Sequence, residues 1–121
     1  MKNFAIEIPS QALWLSRRRA LSASGAAVLS ASAVALLGGR DALAAGAKVS
    51  AQELEADVRI LNTALGAEYE AVAAYQVGAE SGLLGKAVLP VALAFQGHHK
   101  EHAAAIAGAV QKLGGKPVAA K

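Results

Sequence analysis

The chain has no cysteine in 121 residues, which excludes disulfides and thiolate metal sites. It has one methionine, the initiator, and only three prolines. Aromatic residues make up 4% of a chain that is 55% hydrophobic. Its apolar surface therefore comes mainly from small and aliphatic side chains, which let helices approach closely and suit a thick sheet core poorly. No phosphate loop, nucleophile–base pair or signature of a dissociable organic cofactor is present. A nucleic-acid surface is also missing, although the formal charge is +3 and the pI about 9.5. Residues 1–44 hold five Lys/Arg against two acids, whereas residues 45–121 hold seven of each sign. The excess positive charge belongs to the N-terminal stretch, so no basic patch on the remainder calls for a polyanion.

That N-terminal stretch reads as an export signal. A cationic start at Arg17-Arg18-Arg19 is followed by a weakly apolar run from Ala20 to Leu37, and Ala42-Leu43-Ala44 supplies small residues for a signal peptidase. The cationic part resembles the twin-arginine translocation signal: Ser16-Arg17-Arg18-Arg19-Ala20-Leu21 departs from its usual pattern only at Ala20. A general secretory signal and an uncleaved membrane anchor are the alternatives. The run is just long enough to span a bilayer, yet its Ala, Ser and Gly residues make it a poor permanent anchor. The predicted division is a twin-arginine-type signal peptide at 1–44 and a helical unit at 45–121. The expected location is the periplasm or cell envelope, with transient membrane contact through the signal.

In the second unit, Ser50-Ala51-Gln52-Glu53 is a capping box. The pattern predicts a helix over about 50–80 that stops at Gly82. A second helix is predicted over about 86–113, stopping at Gly114-Gly115, with Pro90 tolerated only in its first turn. On the first helix, Leu54, Val58, Leu61, Leu65, Glu68, Val72, Tyr75 and Ala79 follow an alternating four–three spacing. On the second, Val88, Ala92, Phe95, His99, His102, Ile106, Ala109 and Leu113 do the same. The fold class is all-α, an antiparallel helical hairpin.

Each stripe is polar only at its middle, at Glu68 on one helix and at His99 and His102 on the other. Folding about a turn between Leu83 and Leu84 sets Glu68 opposite His99, with His102 one layer away beside Leu65. Burying a carboxylate costs several kcal/mol unless it is paired or coordinated. A shared metal and a buried Glu–His ion pair both answer that need, and spacing alone leaves the two open. His98, Lys100, Glu101 and Glu70 fall off the stripes and read as solvated surface. Tyr75 reads as core, and Trp14 belongs to the leader.

The segments "ILNTALGAEYEAVAAYQVG" and "FQGHHKEHAAAIAGAVQKLGGKPV" resemble the ferritin-like superfamily, in particular its small exported ferritin-like domain proteins. The resemblance covers about residues 57–118. It implies a four-helix bundle in which one helix of each pair gives a Glu and the other an E-x-x-H, together holding two irons or manganeses. Glu68 matches the first Glu, and His102 matches the motif histidine. His99 stands where the motif has its Glu, so the bridging carboxylate of oxygen-activating and ferroxidase sites is missing. A nitrogen-rich set of this kind suits Zn, Fe, Cu or Ni.

The chain has one helix pair where the family has two. The hairpin is therefore expected to be half of the bundle, completed by a homodimer or by a missing second pair. The expected function is an exported ferritin-like protein binding a transition metal (Fe, Mn or Zn) at Glu68, His99 and His102, in metal or oxidative-stress handling. The alternative is a structural or interaction bundle in which the same three residues only pin the register. No substrate or reaction is legible.

Overall fold

The computed structural model describes residues 28–121. The motif Ser16–Leu21, Trp14 and the first part of the apolar run lie outside the described residues. The described chain is helical: α1 spans Ala31–Leu37, α2 Asp41–Gly46, α3 Ala51–Glu80 and α4 Leu89–Lys112. No helix among the described residues is long and apolar enough to cross a membrane.

Helix α3 begins at the capping box. The Ser50 hydroxyl accepts the Glu53 N–H at 3.2 Å, and the Glu53 carboxylate accepts the Ser50 N–H at 2.8 Å. The Ser50 backbone bond, then the bond to its hydroxyl, holds the Glu53 carboxyl below its ordinary value. Thirty residues follow before the chain leaves the helix at Ser81 and reverses through Gly82, whose φ of 72° favours glycine.

Helix α4 starts at Leu89, three residues later than the predicted start. Proline explains the delay. A helix beginning at Lys86 would ask Pro90 for an intrahelical N–H it does not have. Starting at Leu89 places Pro90 in the first turn, where N–H groups have no intrahelical partner anyway. The C-terminus of α4 closes in a Schellman motif. Gly114 takes φ 83°, and the N–H groups of Gly114 and Gly115 reach the carbonyls of Gln111 and Val110 at 3.0 and 2.9 Å. The chain then runs back along α3. There the Asn62 side chain brackets Pro117, donating to the Lys116 carbonyl and accepting the Val118 N–H, both at 2.9 Å.

Helices α3 and α4 form the antiparallel hairpin. On α3 the deepest seam residues, Leu61 and Leu65, are buried as the stripe requires. On α4 the stripe is corrected. The buried residues are Ala92, Gln96, Ala103, Ala109 and Val110, while Val88, Phe95 and His102 of the expected stripe are exposed. A helix that meets one partner packs along a narrower line than a helix at the centre of a four-helix bundle. The contact with α3 therefore runs through Ala92, Gln96, Ala103 and Val110, and the remaining stripe residues stand beside it on an open flank. Gln96 tolerates burial because its amide donates to the Val72 carbonyl at 3.1 Å and to Gln76 Oε1 at 2.8 Å, and its oxygen faces Lys100 Nζ at 3.4 Å.

Helix α1 lies across the base of the hairpin. Ala33 is fully buried there and clusters with Leu61, Ala109 and Val110, flanked by Leu36, Val58, Ile106 and Leu113. Helix α2 folds back beside α1, with Ser32 Oγ donating to the Ala44 carbonyl at 3.3 Å. An exposed ion pair joins Asp41 to Lys112 Nζ at 2.7 Å, an arrangement worth roughly 0–1 kcal/mol. Residues 28–44, the second part of the expected leader, are thus packed on the hairpin.

Candidate metal centre

Glu68 is reached from α4 by two imidazoles. His99 and His102 are three residues apart and so share one face of the helix, and the antiparallel pairing puts Glu68 at their level. Glu68 Oε2 lies 2.6 Å from His99 Nδ1, and Glu68 Oε1 lies 3.6 Å from His102 Nδ1. Each carboxylate oxygen thus addresses a different histidine. One ligand atom from each of the three residues falls within 4.8 Å of the others. The expected placing of His102 one layer away beside Leu65 is corrected: both histidines approach Glu68.

The cluster is open on one side. The side chains of Glu68, His99 and His102 are 20%, 31% and 60% exposed. On the turn side it is walled by aromatic rings. Tyr75 stacks on His99 at a centroid distance of 5.4 Å and 30° between planes, and Phe95 meets the edge of Tyr75 at 6.3 Å. His102 stands edge-on to His99 at 5.9 Å and 81°. One imidazole is therefore held firmly between a carboxylate and a stacked ring, while the other stands toward solvent.

A carboxylate and two imidazoles are the right chemistry for a divalent transition metal. Two histidines and one carboxylate on one face leave further coordination positions open. His98, Lys100, Glu101 and Glu70 are exposed and outside the cluster, as expected of residues off the stripes.

A family model described as a ferritin-like domain matches residues 56–121. The chain belongs to the ferritin-like domain family. No curated protein and no solved structure matches it. The ferritin-like match holds α4, nearly all of α3 and the Glu68–His99–His102 cluster, and it leaves out α1 and α2.

Two features of this ferritin-like chain were not read from the sequence. Tyr75 was assigned to the core alone, yet it is the ring on which His99 rests. Asp57 was not singled out at all, and it is the most buried charged residue described, at 1% exposure. It accepts hydrogen bonds from the Ser30 N–H at 2.9 Å and the Ser30 hydroxyl at 2.6 Å. An aspartate eleven residues before Glu68 lies on the same face of α3, since eleven residues make just over three turns. That spacing was the available signal, but it names no partner.

Proposed function

We propose that this ferritin-like protein binds a divalent transition metal through Glu68, His99 and His102. The observation that carries the reading is the convergence of both imidazoles on the two oxygens of one carboxylate. His99 Nδ1 and Glu68 Oε2 share a hydrogen bond of 2.6 Å. A divalent cation would be held by the lone pairs of Glu68, His99 and His102, and would compete with the proton that His99 and Glu68 share. His99 and Tyr75 orient the inner half of the site. His102, on the open side, would supply the outer imidazole ligand. With oxygen and nitrogen donors and no thiolate, the set suits Fe, Zn, Mn or Cu. When bound, such a metal supplies Lewis acidity or, for iron and copper, one-electron chemistry.

The absent bridging carboxylate supports a single metal per ligand set over the paired irons of a four-carboxylate bundle. The role that follows is metal handling in the cell envelope. Export is supported by the twin-arginine-like Ser16–Leu21 motif, a route that carries folded proteins and so lets a metal be loaded first. Replacing Arg17 and Arg18 by Lys should abolish export of a fused reporter; undiminished export would refute that route.

A second reading has one observation in its favour. The 2.6 Å His99–Glu68 contact already satisfies the carboxylate, so the cluster also works as a metal-free register pin. Elemental analysis of untagged protein, followed by calorimetric titration with Zn²⁺ and Fe²⁺, separates the two. The metal reading requires about one equivalent per chain, lost in Glu68→Ala. No binding in the wild type would leave the pin.

A further inference from the structure

One line of α4 is treated in two opposite ways. Val88, Phe95, His102 and Ala109 are seven residues apart and share a face. The first three are exposed, with Val88 and Phe95 each about half open to solvent. Around the first two lies an open apolar groove of about 420 Å³, bounded also by Tyr75, Leu84 and Val91. The fourth, Ala109, is buried under Ala33 of α1. The line therefore runs from bare apolar surface, past the open side of the metal cluster, to a base covered in cis.

The cover is anchored. Asp57, on the same face of α3 as Glu68, holds the N–H and hydroxyl of Ser30, the residue that caps α1. The carboxylate thus sits at the positive end of a helix and takes both donors. Ala33 fills the groove between α3 and α4, and α2 ties the far end to Lys112.

The ferritin-like architecture stacks a second helix pair on this face, at interaxial distances of about 8–10 Å. A second hairpin cannot reach His102 and the bare groove without meeting α1 at Ala109. The family match begins at residue 56, so the cover is additional to the matched domain. The occupant that fits the face is a second copy of the same hairpin. It carries the same exposed Val88–Phe95 line, and it brings a second Glu68, His99 and His102 to a cluster that offers only three ligands by itself.

We propose that residues 29–46 are a cis clasp occupying the place of a second copy, so that assembly of the bundle waits on the clasp leaving. The competition rests on packing alone. Only its consequence for the metal, the union of two half-sites, rests on the function proposed above. The clasp also shields its own processing point. Ala42-Leu43-Ala44 lies inside α2 with Ala44 buried, and proteolysis of folded chains acts on opened segments. Removal at Ala44 therefore requires α2 to open first.

The experiment uses the full chain with a specific protease site inserted after Ala44, in excess chelator so that metal plays no part. Sedimentation should give a monomer before cleavage. After cleavage and loss of the N-terminal peptide, the particle should contain two hairpins, with helical circular dichroism retained. A full-length Ala33→Arg chain, which cannot seat α1, should dimerise without cleavage, and this arm decides the case if the cut peptide stays bound. The clasp is overturned if the uncut wild type is already a dimer. It is equally overturned if Ala33→Arg stays monomeric, or if the freed hairpin unfolds without associating. Metal titration of the dimer then addresses the ligand set separately, so failure there would leave the clasp standing.

Discussion

Tyr75 stacks on His99, with ring centroids 5.4 Å apart and planes inclined by 30°. The stack holds the imidazole whose Nδ1 meets Glu68, so it acts on the ligand through orientation. Aromatic pairs of this kind contribute about 0.5–1.5 kcal/mol. Tyr75→Ala should therefore weaken Zn²⁺ binding roughly two- to tenfold, and Tyr75→Phe should restore it. Calorimetric titration of the three proteins checks this. An equal loss in Tyr75→Phe would instead point to the hydroxyl.

Gly115 is a second close contact, at the other end of the hairpin. A Cβ built there would lie 2.6 and 2.7 Å from the two methyls of Val58 and 3.1 Å from one of Val110. Valine has one strongly preferred rotamer in a helix and little room to turn. Gly115→Ala should destabilise the chain by about 1–3 kcal/mol, the usual cost of overpacking. Combining it with Val58→Ala should recover part of that loss in urea unfolding, because the pair is in contact and not additive.

These sites show what the sequence carries and where it stops. Glu68, His99 and His102 were legible because two stripes of helical period break at one depth, and a turn of fixed place pairs the breaks. The capping box and the glycine stops were legible because their chemistry is local. The rotation of α4 was not. Phe95 and His102 fit a stripe written for a bundle, whereas the one partner helix buries Ala92 of that stripe and then Gln96, Ala103 and Val110 beside it. The Ser30–Asp57 contact was not legible either. It links residues 27 apart in sequence, across a stretch whose Ala/Ser composition reads equally well as an export signal. Composition registers what a segment can bury, and it does not say against what.

Acid should weaken the start of α3. The Ser50 backbone and hydroxyl hold the Glu53 carboxyl below its ordinary value. A carboxyl lowered by folding adds stability above its unfolded value and loses it as the pH falls through the lowered folded value. Glu53→Gln keeps a hydrogen-bonding partner for Ser50 but removes the charge. Wild type should melt above Glu53→Gln near neutrality. The gap should close as the pH drops below the ordinary glutamate value of about 4.3. A gap that persisted or widened in acid would contradict this assignment.

The central claim is that Glu68, His99 and His102 hold a metal together. It is tested most directly by melting temperature with and without Zn²⁺, Mn²⁺ or Fe²⁺ in wild type, Glu68→Ala, His102→Ala and His98→Ala. Metal bound only to the folded state stabilises it by about 2.7 kcal/mol at a hundredfold excess over Kd. For a domain of this size that raises the melting temperature by roughly 10–20 °C, at 4–8 °C per kcal/mol. The rise should appear in wild type, persist in His98→Ala, whose imidazole lies outside the cluster, and vanish in Glu68→Ala and His102→Ala. No rise in wild type, or a rise lost as fully in His98→Ala as in His102→Ala, would contradict the site.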